Sequence, residues 1–367
     1  MDVATLVAQR SIIVACGTGG VGKTTSAAAL ALEGARRGRR ACVVTIDPAK
    51  RLADALGIES LSNTPKRIEG AWPGELWALM LDTKGTFDDL VHRYAATTEQ
   101  AEAILSNRLY RNISGALSGT QEYMAMEKLY ELHNDTRFDL IVVDTPPTRS
   151  ALDFLDAPRR LTSFLDNRLF RVLVMPTRAY LRAVGAATHA FLRSVSRVVG
   201  AEVVSDVIAF FEAFEGMEAG FRDRAQAVRS LLTAPGTAFV LVTSPRPDAV
   251  DEAAFFADKL ADAGIEVAAL VVNRLHPRFG ITAPVSTAST DGGALASLRR
   301  NLAEFRRVAE DEESNFATLA AQLAPAPVCR VPFLADDVHD LAGLAVIADH
   351  LLAPAGWHPS TGRSRPA

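Results

Sequence analysis

One nine-residue stretch, GTGGVGKTT at 17–25, constrains this chain more than any other part of it. It fits the pattern G-x-x-x-x-G-K-[ST], with Gly17, Gly22, Lys23 and Thr24 in the fixed places. With only six lysines and 24 glycines in 367 residues, a chance match is expected on the order of a few times in a thousand such chains. The β-branched run SIIVAC at 11–16 precedes it, and the Ala- and Leu-rich segment 24–38 follows, so the expected local order is strand, loop, helix. Glycines in such a loop let successive backbone N–H groups curl around phosphate oxygens, while the helix directs its positive end at the same charge. Lys23 can then reach β- and γ-phosphates, Thr24 can offer its hydroxyl to Mg²⁺, and Thr25 can bond an α-phosphate. The competing role is a structural glycine turn.

Further buried-strand runs recur at 41–46, 76–81, 138–143, 238–243, 267–272 and 328–331, most of them separated by helix-length segments. Continuous apolar strands alternating with helices predict an α/β fold, a doubly wound and mostly parallel sheet covered on both faces. Two stretches, 84–135 and 149–232, contain almost no strand-like run and carry apolar residues at helical spacing, which predicts an inserted α-helical subdomain. Residues 276–290 read as a loop and the tail from Pro354 as disordered. An apolar share of 49% with 22% charged residues suits a globular chain, and a formal charge of −4 leaves no domain-wide basic surface for nucleic acid. No apolar run reaches the ~18 residues of a membrane span. Cys16, Cys42 and Cys329 form no C-x-x-C pair, which argues for a reducing, cytoplasmic setting and against a cysteine-built zinc site.

Two carboxylates stand at strand ends. Asp144 closes FDLIVVD and is followed by Thr145, Pro146 and Pro147. At the carboxyl end of a strand it faces the ligand crevice and can hold a water of the Mg²⁺ shell, or it can cap the next helix. Asp47, in TIDPAKRLADAL at 45–56, ends the second strand beside Pro48. It can orient or deprotonate an attacking water, or equally serve as a helix cap.

Together these segments resemble the ArsA-type ATPases, the family of arsenite-pump ATPases and tail-anchored-protein targeting factors within the deviant Walker A group of P-loop proteins. GGVGKTT at 19–25 is similar to the family P-loop, TIDPAKRLADAL to its first switch, and VVDTPPTRSALDFL at 142–155 to its second. VVNR at 271–274 and VPFLADDV at 331–338 resemble the segments that flank adenine. GTQEYMAMEKL at 119–129 and the long DTPPTRSALDFLDAPRRL look most like actinobacterial paralogues. The resemblance implies a P-loop NTPase that binds ATP through Gly19, Gly20, Val21, Gly22, Lys23, Thr24 and Thr25, with Asn273 and Pro332 receiving the adenine. It also implies that Asp47 and Lys23 are catalytic, that Thr24 ligates Mg²⁺ directly, and that Asp144 does so through water. The implied organisation is an ATPase domain over 1–83, 136–158 and 233–352, a helical subdomain over 84–135 and 159–232, and a tail over 353–367.

The chain departs from the family pattern at three places. Members carry a signature lysine one place before the Gly-Gly pair that reaches across a dimer to the partner's phosphates; here that place is Thr18. Such a cation can contribute orders of magnitude in rate. A lysine-bearing paralogue can supply it in a heterodimer, the chain can form a slow homodimer, or Arg51 or Arg149 can substitute. A subunit that binds ATP without appreciable hydrolysis is the alternative. The zinc-binding C-x-x-C of many targeting dimers is absent, and Cys16 and Cys42 are expected in adjoining strands with Cys329 in a third, as buried structural thiols. Lys50 stands where the first switch usually has histidine. Phe164, Leu165, Leu169, Phe170, Val172, Leu173, Val174 and Met175 can line a groove for a hydrophobic client or pack the subdomain's own core, and the arginines from Arg149 to Arg182 suit a solvated face.

Overall fold

The computed structural model describes residues 2–47, 49–108, 120–146, 217–279 and 294–354, together with 110, 206, 209, 210 and 213. The expected groove residues Phe164 to Met175, the arginines from Arg149 to Arg182, and the tail beyond Pro354 lie outside them.

The chain divides into two compact units, the first made of Met1–Leu81, Glu131–Leu152 and Thr233–Ala367, the second of Asp82–Tyr130 and Asp153–Leu232. The first unit opens with a short helix α1 (Val3–Gln9), capped by the Asp2 carboxylate at the Thr5 amide. It continues through β1 (Ile12–Gly17), α2 (Lys23–Arg36), β2 (Arg40–Thr45), α3 (Arg51–Leu56), β3 (Lys66–Ile68) and β4 (Glu75–Met80). In the second unit lie α4 (Thr83–Tyr94), α5 (Thr98–Ser106), most of α6 (Thr120–Asn134) and, later in the chain, α7 (Glu218–Leu232). The first unit is completed by β5 (Leu140–Asp144), β6 (Thr237–Thr243), α8 (Pro247–Asp262), β7 (Val267–Leu275), α9 (Ala294–Gln322), β8 (Val328–Pro332) and α10 (Leu341–Leu351).

The eight strands form one sheet in the order β3-β4-β2-β5-β1-β6-β7-β8. Every pairing is parallel except β3 with β4. All six residues of β1 and all five of β5 are buried, as central strands of a sheet covered on both faces must be. Side chains alternate between the faces. Ile13, Ala15, Val43, Val142, Val240 and Val271 join the cluster built with α1, α2, α3 and α10, while Ile12, Val14, Val44, Val143 and Leu241 are buried on the opposite side. The mostly parallel α/β architecture expected from the strand runs is therefore present.

Two details differ from expectation. Cys16 and Cys42 are not on adjoining strands, because β5, which follows the helical insertion, pairs with both β1 and β2 and lies between them. The three-residue strand β3 carries two exposed charged residues, Lys66 and Arg67, so it lacks the apolar run by which the other strands are recognised.

The second unit is helical in all its described elements. Phe87 packs on Tyr110 with ring centroids 5.3 Å apart, and Tyr94 on Phe221 at 5.2 Å. In the same unit Glu127 is buried, accepting from the Tyr123 hydroxyl at 2.5 Å and from Arg224 Nε at 2.7 Å. No described helix is long and apolar enough to cross a membrane.

Candidate functional site

The loop between β1 and α2 sits at the carboxyl end of the central strand, where ligands of doubly wound sheets bind. Three of its glycines adopt backbone conformations that resist a side chain: φ is 146° at Gly17, 79° at Gly20 and 96° at Gly22. A Cβ on Gly17 would lie 1.9 Å from the Val242 carbonyl oxygen, and one on Gly22 2.2 Å from Asn273 Nδ2. At Gly20 it would meet nothing within 4 Å, so the loop faces open space there. Helix α2 begins without a side-chain cap, and its first intrahelical bond is from the Ser26 amide to the Gly22 carbonyl at 2.9 Å. The N–H groups of Lys23, Thr24 and Thr25 thus stand at an open, positive helix end.

Lys23 is buried, and its Nζ donates to the Thr18 carbonyl at 2.6 Å. Burial holds its ammonium below the usual lysine range, opposed first by the charge of Asp144. Asp144 is 1% exposed at the end of β5. Its Oδ2 accepts from Thr24 Oγ1 and from Thr45 Oγ1, both at 2.8 Å, and its Oδ1 is buried with no hydrogen-bond partner among the described residues. Burial pushes its carboxyl up from 3.8 to about 6, against the hydrogen bonds from Thr24 and Thr45 and the charge of Lys23. The bond to Asp144 commits the donor of the Thr24 hydroxyl and leaves its lone pairs for a cation. Among the described residues no cluster of three or more His, Cys, Asp or Glu side chains could hold a metal alone. One hydroxyl plus an unpartnered carboxylate oxygen nearby suits Mg²⁺, which keeps several waters and takes further ligands from phosphates.

Asp47 lies just past β2. Its Oδ1 accepts from the Ala49 amide and its Oδ2 from Arg51 Nη1, each at 3.0 Å, while its own amide donates to Thr45 Oγ1 at 3.3 Å. Pro48 is outside the described residues. On the other flank, Asn273 and Pro332 lie at the ends of the paired strands β7 and β8, Asn273 opposite Val331 and Pro332 opposite Leu275. Asn273 Nδ2 donates to the Val21 carbonyl at 2.8 Å, which ties this strand end to the glycine loop.

Gly17, Gly20, Gly22, Lys23, Thr24, Asp47, Asp144 and Asn273 are thus gathered at one end of the sheet. Three contributors were not singled out from the sequence: Thr45, the Thr18 carbonyl and Arg274, whose Nη1 donates to the Gly20 carbonyl at 3.1 Å. For Thr45 a signal existed, a hydroxyl two residues before the strand-end aspartate.

This sheet order, with a glycine loop joining the central strand to a helix, defines a P-loop NTPase. The chain belongs to the ArsA family, described as Anion-transporting ATPase, whose family model matches residues 10–283. It is 32% identical over 303 residues to Uncharacterized protein SCO2128 of Streptomyces coelicolor, covering 81% of this chain and 69% of that one. It is 25% identical over 265 residues to ATPase GET3 of Phaeosphaeria nodorum, covering 71% and 74% respectively. With ATPase ARSA1 of Chlamydomonas reinhardtii it shares 26% identity over 341 residues, 88% of this chain and 40% of the other.

Proposed function

We propose that this chain is a Mg²⁺-dependent ATP-binding and ATP-hydrolysing switch that acts as a dimer and couples its nucleotide state to a protein partner or hydrophobic client through the helical subdomain. The observation that carries the reading is Asp144. One oxygen of this buried carboxylate is fixed by Thr24 and Thr45 and the other has no partner among the described residues, beside a lysine that donates to a carbonyl. Membership in a family of ATPases supports it.

In this reading the amides of Gly19 to Thr25 surround the phosphates, and Lys23 leaves the Thr18 carbonyl for the β- and γ-phosphate oxygens. Thr25 bonds the α-phosphate, and Asn273, whose amide retains a second N–H, meets the adenine with Pro332. Mg²⁺, held by Thr24 and through water by Asp144, would neutralise charge on the phosphates. Asp47 orients a water for in-line attack on the γ-phosphorus; the new P–O bond forms as the bond to the β–γ bridging oxygen breaks, giving ADP and phosphate. For that, Asp47 must release Arg51. The pair is 62% exposed on the arginine side, and such surface pairs contribute only about 0–1 kcal/mol, so the release is not a large barrier.

With Thr18 in the signature position, the cross-subunit cation comes from a lysine-bearing paralogue in a heterodimer, or the homodimer turns over slowly. The neutral hydroxyl at this place also favours a second reading, an ATP-binding regulatory subunit with negligible hydrolysis. A cytoplasmic location fits both. Turnover and ATP binding of the purified chain, alone and with co-purifying paralogues, test the proposal. The expected result is ATP binding with slow turnover that rises with a lysine-bearing partner or in Thr18→Lys and is lost in Asp47→Asn. Turnover undiminished by Asp47→Asn would refute the mechanism, and binding without turnover under every condition would select the regulatory subunit.

A further inference from the structure

In the proposed mechanism Asp47 can hold the attacking water only after Arg51 leaves its carboxylate, so the destination of that guanidinium matters. Arg51 opens α3, and its Nη1 donates to Asp47 Oδ2 at 3.0 Å. The contact uses one of its five N–H donors, and Arg51 makes no other hydrogen bond or ion pair among the described residues. Nothing in the helix itself calls for a cation there, because positive charge in a first turn opposes the helix dipole. Hydrogen bonds tie the Arg51–Asp47 pair to the helix that follows the glycine loop. The Asp47 amide donates to Thr45 Oγ1 at 3.3 Å, Thr45 Oγ1 donates to Asp144 Oδ2 at 2.8 Å, and the same oxygen accepts from Thr24 Oγ1 at 2.8 Å. Thr24 adjoins Lys23 in the first turn of α2. The Lys23 ammonium, lowered chiefly by burial and raised first by Asp144, also feels the Arg51 guanidinium, which lowers it, and the Asp47 carboxylate, which raises it. Arg51 and Asp47 therefore stand on the side of the loop that Lys23 and Thr24 occupy.

A group that orients a water must sit within hydrogen-bond reach of it, so a donor on Asp47 Oδ2 occupies a place that such a water needs. With ATP in the loop, a water held by Asp47 lies against the γ-phosphorus. A guanidinium displaced from Oδ2 then has to move roughly 3 Å, one hydrogen-bond length, to meet γ-phosphate oxygens. The exchange is favoured, because an exposed ion pair contributes little while arginine binds phosphate oxygens through parallel charge-assisted bonds. We propose that Arg51 is a two-position cation: in the empty site it closes off Asp47, and with ATP bound it moves to the γ-phosphate, freeing Asp47 for the water and supplying in cis a charge that Thr18 does not carry. This rests on the reading of the loop as an ATP site and adds a ligand preference to it. ADP has no γ-phosphate, so Arg51 stays on Asp47 when ADP is bound.

The test is calorimetric titration of the full chain with ATP, ADP and adenosine, each with Mg²⁺, at low and high KCl, together with turnover at saturating ATP. The variants are Arg51→Gln, Arg51→Lys and, as a control on the site, Lys23→Ala. The Arg51 side chain is 62% exposed, so neither replacement disturbs the fold. Arg51→Gln should bind ATP roughly tenfold more weakly, with the loss shrinking in added salt and with ADP and adenosine unaffected. It should also turn ATP over more slowly than the wild type. Arg51→Lys keeps the charge and should retain most of the ATP affinity. Wild-type ATP affinity in Arg51→Gln, or a loss of the same factor for ADP, would overturn the inference; unchanged affinity with faster turnover would leave Arg51 a brake on Asp47 and no more. If the wild type binds no ATP, or Lys23→Ala binds it normally, the nucleotide reading itself fails, and this inference with it.

Discussion

Replacing Asp144 with asparagine, with no divalent cation present, should not destabilise the first unit at neutral pH, although it alters a fully buried polar side chain. The carboxyl is raised from 3.8 to about 6 by burial, and a rise of that size corresponds to about 3 kcal/mol of penalty on the ionised form. Asparagine removes that penalty and can still accept from Thr24 and Thr45 through its carbonyl oxygen. Its NH₂ group then takes the place of Oδ1, which has no partner among the described residues, and an unsatisfied buried donor costs about 1–3 kcal/mol. The net expectation is a variant about 0–2 kcal/mol more stable than the wild type at pH 7.5. Because the folded-state value lies above the unfolded one, the folded wild type binds more protons between the two, and its stability falls as pH rises through that window. At pH 5 the wild type should have recovered about 1 kcal/mol of the penalty, so the advantage of Asp144→Asn shrinks by that amount. Urea unfolding in EDTA, followed by the fluorescence of Trp77, which packs edge-on against Phe138 at 5.8 Å, measures both values. A variant destabilised by more than ~1 kcal/mol at pH 7.5, or a difference that does not change between the two pH values, would refute the reasoning.

Gly22→Ala should weaken ATP binding at least tenfold while far-UV circular dichroism stays that of the wild type, because the new Cβ would sit 2.2 Å from Asn273 Nδ2 and break its hold on Val21. Arg224→Ala should cost the helical unit about 3–5 kcal/mol in urea unfolding, since it strands Glu127, which is 1% exposed on its side chain, and removes a guanidinium 3.8 Å from the Tyr130 ring centroid. An apolar double replacement of Glu127 and Arg224 should recover much of that loss. The three cysteines should resist Ellman's reagent in the native state and react in urea: all are buried and free, and burial pushes the Cys16 and Cys329 thiols up to about 12. Arsenite, which binds thiolates, should then leave ATP turnover unchanged.

What the sequence made legible is what local chemistry encodes. The glycine spacing of 17–25 and the apolar runs around it specify strand, loop and helix without reference to the rest of the chain, and β1 and α2 form where expected. Sheet order is not encoded that way. Strand β5 returns after a helical insertion to lie between β1 and β2, separating Cys16 from Cys42, and nothing in the strand's own residues announces its neighbours. The same holds for Thr45, which meets Asp144 across 99 residues of sequence through the β2–β5 register. Arg274 needed more still, a register slip and a left-handed backbone that a run reading VVNRL does not advertise. At the amino terminus, α1 spans only seven residues, too few for a helical period to be recognised.

In the proposed function, the charges of the site would also couple ATP and Mg²⁺ to each other. Lys23 and Asp144 are both buried and feel each other's charge, yet Lys23 donates to a carbonyl and Asp144 accepts from hydroxyls, so neither neutralises the other by direct contact. A polyanion alone would satisfy Lys23 and the open α2 amides but would place negative charge near the Asp144 carboxylate. A divalent cation alone would satisfy Thr24 and Asp144 but would sit near the Lys23 ammonium. Only the two together complete every group, so ATP and Mg²⁺ should bind with positive coupling, each raising the affinity of the other by the same factor. The coupling is measurable as the ratio of ATP affinities in Mg²⁺ and in EDTA. In Asp144→Asn the repelling charge is gone, so metal-free ATP should bind more tightly than in the wild type while the gain on adding Mg²⁺ shrinks. A variant that keeps the full wild-type gain would show that Asp144 does not couple the two ligands, and the buried, half-partnered carboxylate would then need another explanation.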